Sequence, residues 1–312
     1  MVAPTLPSAA VMAWGAYQMA KLRARSRWAL PVIASVLVGL TAGNTKAEDT
    51  SLRFSEPEKY WKTEKAIVLD SDVMVAKLVE LGAAQSAAYK NAAEVRELPG
   101  EIKALILAEL TDGKGVHVET ALTALGSLAG FSCQMAIRED FVKSGKITLE
   151  QAFTTVGTAN GQTYYMGDLL NEGLVATRKG SLSVWGIVAA APHHLGKDLP
   201  DLMPIFKRTG ATLGSDDFGV PDLPKRHMPD QMPIELLQKF WNVTRNQLVL
   251  AELAPSQWPY VISQAAQQLI MDGKDVLDPS LAARIVMEAA VPMSKVSPDQ
   301  VPRATLEAAS AN

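Results

Sequence analysis

Apolar residues recur every three or four positions through most of the chain beyond residue 72, and that period predicts helices. Ser71 or Asp72 suits the cap of a run from Val73 to about Val95, with Val75, Leu78, Val79 and Leu81 at helical spacing. Pro99 is expected to break this run and to open a second helix, Glu101 to Leu110. After the turn Asp112-Gly113-Lys114-Gly115, a long helix is predicted from about Val118 to Arg138. It is dense in small residues, with Gly126 and Gly130 four apart and Ala129, Ser132 and Cys133 nearby. Each glycine costs a helix about 1 kcal/mol relative to alanine. Two of them imply a packing reason, so this helix is expected to be central, buried on several sides and close to another backbone.

Thr148-Leu149-Glu150-Gln151 has the pattern of a capping box opening a short helix. One strand pattern follows: Phe153–Thr158 and Gln162–Met166 flank Ala159-Asn160-Gly161. Asn-Gly favours a tight hairpin turn in which both residues take positive φ. Asp168 is then expected to cap a helix through Val175. Further helices are predicted over 183–191, 199–209, 234–253 and 257–271, and a last one from Asp278-Pro279 to Ala290. Residues 214–233, with four prolines and two glycines, read as a long loop. The fold class expected is mainly α: a multi-helix orthogonal bundle with one β-hairpin, α+β at most. The domain organisation expected is a leader over 1–47, one globular helical domain over 48–295 and a disordered tail over 296–312.

The leader has its own pattern. Lys21, Arg23, Arg25 and Arg27 precede an uncharged stretch from Trp28 to Gly43, and Thr45-Lys46-Ala47 supplies small residues before Glu48-Asp49. A basic start, a short apolar middle and a small-x-small end make a secretory signal. The apolar middle is shorter than the roughly 20 residues a membrane-spanning helix needs. Proportions are ordinary when counted from Met19, so translation is expected to start there rather than at Met1. Export, or tethering to a membrane through residues 28–43, is the location expected. Organelle import, and a cytoplasmic protein with an apolar N-terminal helix, are the alternatives.

Charge narrows the functions. The chain carries −3 overall, and residues 1–47 hold five basic residues and no acidic ones, which leaves −8 on the rest. Such a body has no general affinity for a phosphate backbone, so no nucleic-acid partner is expected. The single cysteine, Cys133, excludes an intrachain disulfide. Set in LAGFSCQMAI, it reads as a buried, inert thiol; Arg138, five residues on, is off its helix face.

Three groups of residues carry candidate chemistry. Ala66-Ile-Val-Leu-Asp70-Ser-Asp72 resembles the first motif of haloacid-dehalogenase-like phosphatases. The resemblance implies a nucleophile at Asp70, a general acid at Asp72, an acidic metal motif at Asp216-Asp217 and a charge-neutralising Lys197. The chain departs from the pattern at Met74, where Thr or Val is usual, and in lacking the alternating strands of a doubly wound sheet. The competing reading is that Asp70, Ser71 and Asp72 cap the following helix. Second, His193 and His194, with His227, Asp216 and Asp217, would form a metal site if the long loop folds back; otherwise the histidine pair marks an exposed helix end. His117 and Glu119 are explained by a helix start. Third, Asn160, Tyr164, Tyr165, Asp168 and Asn171 concentrate polar and aromatic groups where the hairpin meets a helix.

Together these favour a binding or scaffold protein acting on a partner protein or a small amphiphilic ligand held between helices. The alternatives are a metal- or phosphate-dependent hydrolase using the acidic and histidine-bearing loop, and a membrane-tethered structural subunit. No cofactor is predicted. The ligand-binding candidates are Asn160, Tyr165, Asp168, Asn171, Asp216 and His227, and the metal candidates His193, His194 and Asp217. Any cleft is expected where residues 160–171 meet the loop 214–230. The leader pattern also predicts that native protein, sequenced from its N-terminus, begins at or near Glu48 or remains inserted in a membrane. A soluble cytosolic chain starting at Met1 or Met19 would overturn export.

Overall fold

The computed structural model describes residues 92–175 and 182–301. The expectations for the leader, for Asp70 and Asp72, for most of the helix over 73–95 and for residues 302–312 lie outside these residues.

Small residues in helix α2 (Val118–Ile137) decide the architecture. Every residue from Thr120 to Gln134 is buried. The helix is surrounded by α1 (Ala92–Leu110), α4 (Asp168–Val175), α8 (Pro233–Leu250), α9 (Trp258–Asp272) and, most extensively, α10 (Pro279–Met293). A Cβ placed on Gly126 would collide with the carbonyl oxygen of Val286, and one on Gly130 with that of Ala290. The contact keeps a constant register: four residues further along, Gln134 Nε2 donates to Ser294 O at 2.8 Å. The two helices therefore run parallel, backbone against backbone. Three buried hydroxyls of α2 are satisfied by the backbone of the helix itself. Thr123 Oγ1 donates to Glu119 O (2.7 Å), Ser127 Oγ to Thr123 O (2.8 Å) and Ser132 Oγ to Ala129 O (2.7 Å). Residues 118–142 are long and apolar enough to cross a bilayer, yet 94% of that apolar window is buried in the protein, as befits a core helix.

Around this pair the apolar faces close as the period predicts. Ile102 and Ile106 of α1 and Leu122 and Leu125 of α2 are fully buried. Phe131 meets Trp241 edge-on at 4.8 Å, and Trp241 meets Trp258 at 6.2 Å. Short helices complete the bundle: α3 (Leu149–Ala152), α5 (Val184–Val188), α6 (Ala190–His194) and α7 (Met203–Ala211). The capping box at Thr148 forms as expected, with Gln151 N to Thr148 Oγ1 and Thr148 N to Gln151 Oε1. Strands β1 (Thr154–Gly157) and β2 (Thr163–Met166) pair antiparallel, Thr155 opposite Tyr165. Among the described residues the fold is mainly α with one β-hairpin, the class the sequence predicts.

Four local expectations are corrected. Pro99 lies inside α1 and does not end it. The hydrogen bond it forfeits is outweighed by the burial of Leu98, Ile102 and Ile106 on either side. The hairpin loop is Ala159-Asn160-Gly161 as expected, closed by Thr158 N to Gln162 O and Gly161 N to Thr158 O, but its φ angles differ from those expected. Only Gly161 takes positive φ (81°), so Asn160 serves the turn through its side chain instead. Asp168 lies inside the first turn of α4, where a carboxylate favours the positive helix pole, and does not cap it. The segment 296–301, expected as tail, is packed: Val296 and Val301 are buried, and Gln238 Nε2 holds Gln300 O at 2.7 Å.

The backbone contact between α2 and α10 yields a stability prediction. Gly130→Ala should cost about 3 kcal/mol, because the colliding atom is a carbonyl and does not swing away, and Gly130→Leu should cost more. Gly210→Ala, at an open helical site in α7, should instead gain about 0.5–1 kcal/mol. Urea midpoints of the variants check both signs.

Candidate functional site

Just past α10, the turn at 294–296 is fixed from two sides. Gln134 Nε2 donates to the carbonyls of Ser294 (2.8 Å) and Val296 (3.1 Å), and Tyr165 N of β2 donates to Lys295 O at 2.9 Å. Tyr164 and Val296 form an isolated antiparallel bridge beside it. Held this way, the Lys295 side chain enters the interior, and the residue is 2% exposed. Its Nζ donates to Asn171 Oδ1 of α4 at 3.0 Å, its one hydrogen-bond acceptor among the described residues. Burial pushes its ammonium down from 10.5 to about 7, opposed by the nearby Cys133.

Cys133 lies near Lys295, Tyr260 near Cys133, and Arg138 near Gln134 and Tyr165. The Cys133 thiol is buried, packed near Gly173 of α4, and pushed up to about 12 by desolvation. Tyr260 of α9 is also raised to about 12, first by burial and then by Cys133 and Glu172. Both groups therefore keep their protons at neutral pH. Arg138, at the start of a π-helical turn (Arg138–Val142), donates through Nε to Gln134 Oε1 at 3.0 Å. Its guanidinium lies 4.2 Å from the centroid of the Tyr165 ring. Its Nη2 is buried with no hydrogen-bond partner among the described residues. Chemically, the cluster offers a buried amine with donor capacity to spare, a guanidinium edge without an acceptor, and two protonated weak acids.

The predicted residues divide. Tyr165 and Asn171 both belong to the Lys295 cluster. Asn160 is exposed at the hairpin tip, where its Nδ2 donates to Gly214 O at 3.0 Å, and Tyr164 meets Phe218 edge-on at 4.6 Å. Hairpin and long loop thus touch, but their acidic side chains stay out of the contact. Asp168, Asp216 and Asp217 are exposed, as are His193 and His194 at the end of α6. Lys197 is 3.8 Å from Asp278. His227 goes elsewhere: its Nδ1 is 2.7 Å from Glu119 Oε1, and its Nε2 accepts from Arg226 Nε at 2.9 Å. His117 joins that group, 2.8 Å from Thr120 Oγ1 and 3.3 Å from Glu119. Among the described residues no three His, Cys, Asp or Glu side chains are grouped to hold a metal ion.

Sequence reasoning missed Lys295, Gln134, Arg138 and Tyr260. One signal was available: Lys295 is the lone charge between Glu288 and Asp299 in an otherwise apolar and small-residue run. Lysine is almost never fully buried without a reason.

The depressed ammonium has a pH signature. Between pH 7 and 9 the unfolded chain keeps a proton on Lys295 that the folded chain has released, so stability rises with pH across that window. The rise should be on the order of 2–3 kcal/mol. Above pH 9 the trend is opposed, because unfolding then lets Cys133 lose a proton that the fold retains. Urea melts of wild type and Lys295→Met at both pH values should show the rise in wild type alone. No protein-family model matches this chain, and neither a curated protein nor a solved structure matches it significantly.

Proposed function

We propose that this protein binds a small ligand bearing a carboxylate or a comparable acceptor, in the buried cluster around Lys295. The observation that carries the reading is a lysine 2% exposed with a single hydrogen bond, to Asn171. An amine taken out of water costs several kcal/mol unless its donors are met, and groups placed at such a cost gather at functional sites. The partnerless Arg138 Nη2 suits the same ligand chemistry, and Arg138 is tied through Gln134 to the backbone of the turn that carries Lys295. The helical bundle acts as the scaffold, and the hairpin forms one wall. Export, argued from the basic, apolar and small-residue pattern of residues 21–47, is the location that goes with this reading. The alternative of a hydrolase built on the acidic loop draws no support from the exposed placement of Asp216 and Asp217.

Lys295→Met separates a ligand site from a structural one. At pH 7 the variant should be more stable than wild type, because an apolar chain of similar length replaces a poorly satisfied amine. Addition of propionate should raise the melting temperature of wild type and leave that of the variant unchanged. A destabilised variant that still responds to propionate would overturn the proposal.

A further inference from the structure

We infer that α8 carries a second binding site, at Thr244 and Gln247, for a small uncharged molecule bearing a primary amide. The inference does not depend on the Lys295 reading. Both side chains lie inside the protein, with Thr244 0% and Gln247 4% exposed. Thr244 Oγ1, Gln247 Oε1 and Gln247 Nε2 have no hydrogen-bond partner among the described residues, and no other helical turn there gathers as many such atoms. The fold meets comparable groups elsewhere. The buried hydroxyls of Thr123, Ser127, Ser132 and Ser263 each donate to a carbonyl of their own helix. Thr244 forgoes that bond. The buried amides of Gln134 and Gln267 reach the carbonyls of Ser294, Val296 and Ile187, whereas Gln247 is unmet at both ends of its amide. Buried polar groups left without partners cost stability, so three on one turn point to a partner that the chain does not supply.

The helix places these atoms together. Residues 244 and 247 are i, i+3 neighbours, so their Cβ atoms stand about 5–6 Å apart on one face. That face is the buried one. Thr244 continues the stripe of Leu237, Trp241 and Leu248, and α8 packs most extensively on α2, where Trp241 meets Phe131. The ligand chemistry follows from the groups present. A carboxamide carries two N–H donors and an acceptor oxygen. Its complement is a second amide edge, whose oxygen accepts from Nε2 and whose N–H donates to Oε1; the Thr244 hydroxyl donates or accepts as required. Neither residue is charged, so an ion seated on the pair would be desolvated without a counter-charge from it. With so little of either side chain exposed, the ligand is a small enclosed molecule and not a side chain of a docked protein.

The test uses the full chain with acetamide as probe, read through the side-chain N–H signals of Gln247 in ¹⁵N spectra. N,N-dimethylacetamide supplies the oxygen without an N–H, and acetate supplies a charge. Acetamide should shift the Gln247 signals saturably, and dimethylacetamide should bind about tenfold more weakly, the scale of one buried group left unpaired. Acetate should leave the signals in place. The response should persist in Lys295→Met, which separates this site from the carboxylate site. Without ligand, Thr244→Val should raise the melting temperature by about 2–4 °C, because it removes an unmet hydroxyl. The wild-type spectra report directly, so the outcome does not depend on a variant folding. Gln247 signals that acetamide leaves unmoved, an equal response to dimethylacetamide, or a long-lived water at Gln247 that acetamide does not displace would each overturn the inference.

Discussion

The approach of α2 to α10 at Gly126 and Gly130 is the constraint from which the rest of the structure follows. With the backbones in contact, the carbonyls of Val286 and Ala290 occupy the space that side chains would fill. The register this sets carries on to Gln134 and Ser294, so the end of one helix fixes the turn after the other. That turn aims Lys295 inward and offers its own backbone to the hairpin. The glycines cost helix stability, about 1 kcal/mol each. What offsets that cost is a helix with no solvent-facing side, buried without interruption from Thr120 to Gln134.

Two buried charges on or just beyond α10 show opposite physics. Glu288 is fully enclosed, and burial raises its carboxyl above the usual range, against the pull of Arg208 and Arg284. It is nevertheless well met, by both guanidiniums and by the backbone N–H of Asp222 at 3.2 Å. Arg284 also donates to Asp222 O at 2.6 Å, so the carboxylate organises the joint between α7, α10 and the long loop. Such a network specifies geometry more than it adds stability. Lys295, seven residues further on, has one amide oxygen. The carboxylate is satisfied from several sides, while the amine keeps donors to spare.

The long loop is tied down at several points. Asp222 binds α10, Gly214 takes the Asn160 amide, Phe218 packs on Tyr164, and Asp230 N donates to Thr120 Oγ1 at 2.9 Å. A two-stranded hairpin has little stability of its own. Here it is held by the loop at its tip and by residues 295–300 along β2, where Gln300 Nε2 reaches Thr163 O at 3.4 Å. Its β2 edge adjoins the backbone of Lys295, through Tyr165 N to Lys295 O and the bridge between Tyr164 and Val296.

Local patterns by themselves determined a good deal of this protein. The 3.6-residue period placed most helices, the capping box at Thr148 formed as written, and Gly126 and Gly130 announced a close helix contact before any partner was known. These are short-range properties, legible because each depends on a few adjacent residues. Pro99 and the conformation of Asn160 escaped for the converse reason: burial on neighbouring turns overrode the proline, and closure of the loop at Thr158 and Gln162 left positive φ to Gly161 alone. The site was half legible. Tyr165 and Asn171 stood out as polar residues that helix packing did not require, while Asp216 and His227 stood out equally and went elsewhere. The sequence marks Lys295 only as a lone charge in an apolar and small-residue run, and its burial was decided by the tertiary structure. Its surroundings come from α2, β2, α4 and α9, between 35 and 162 residues away in the chain, and the desolvation that alters an amine's chemistry exists only once those elements close around it.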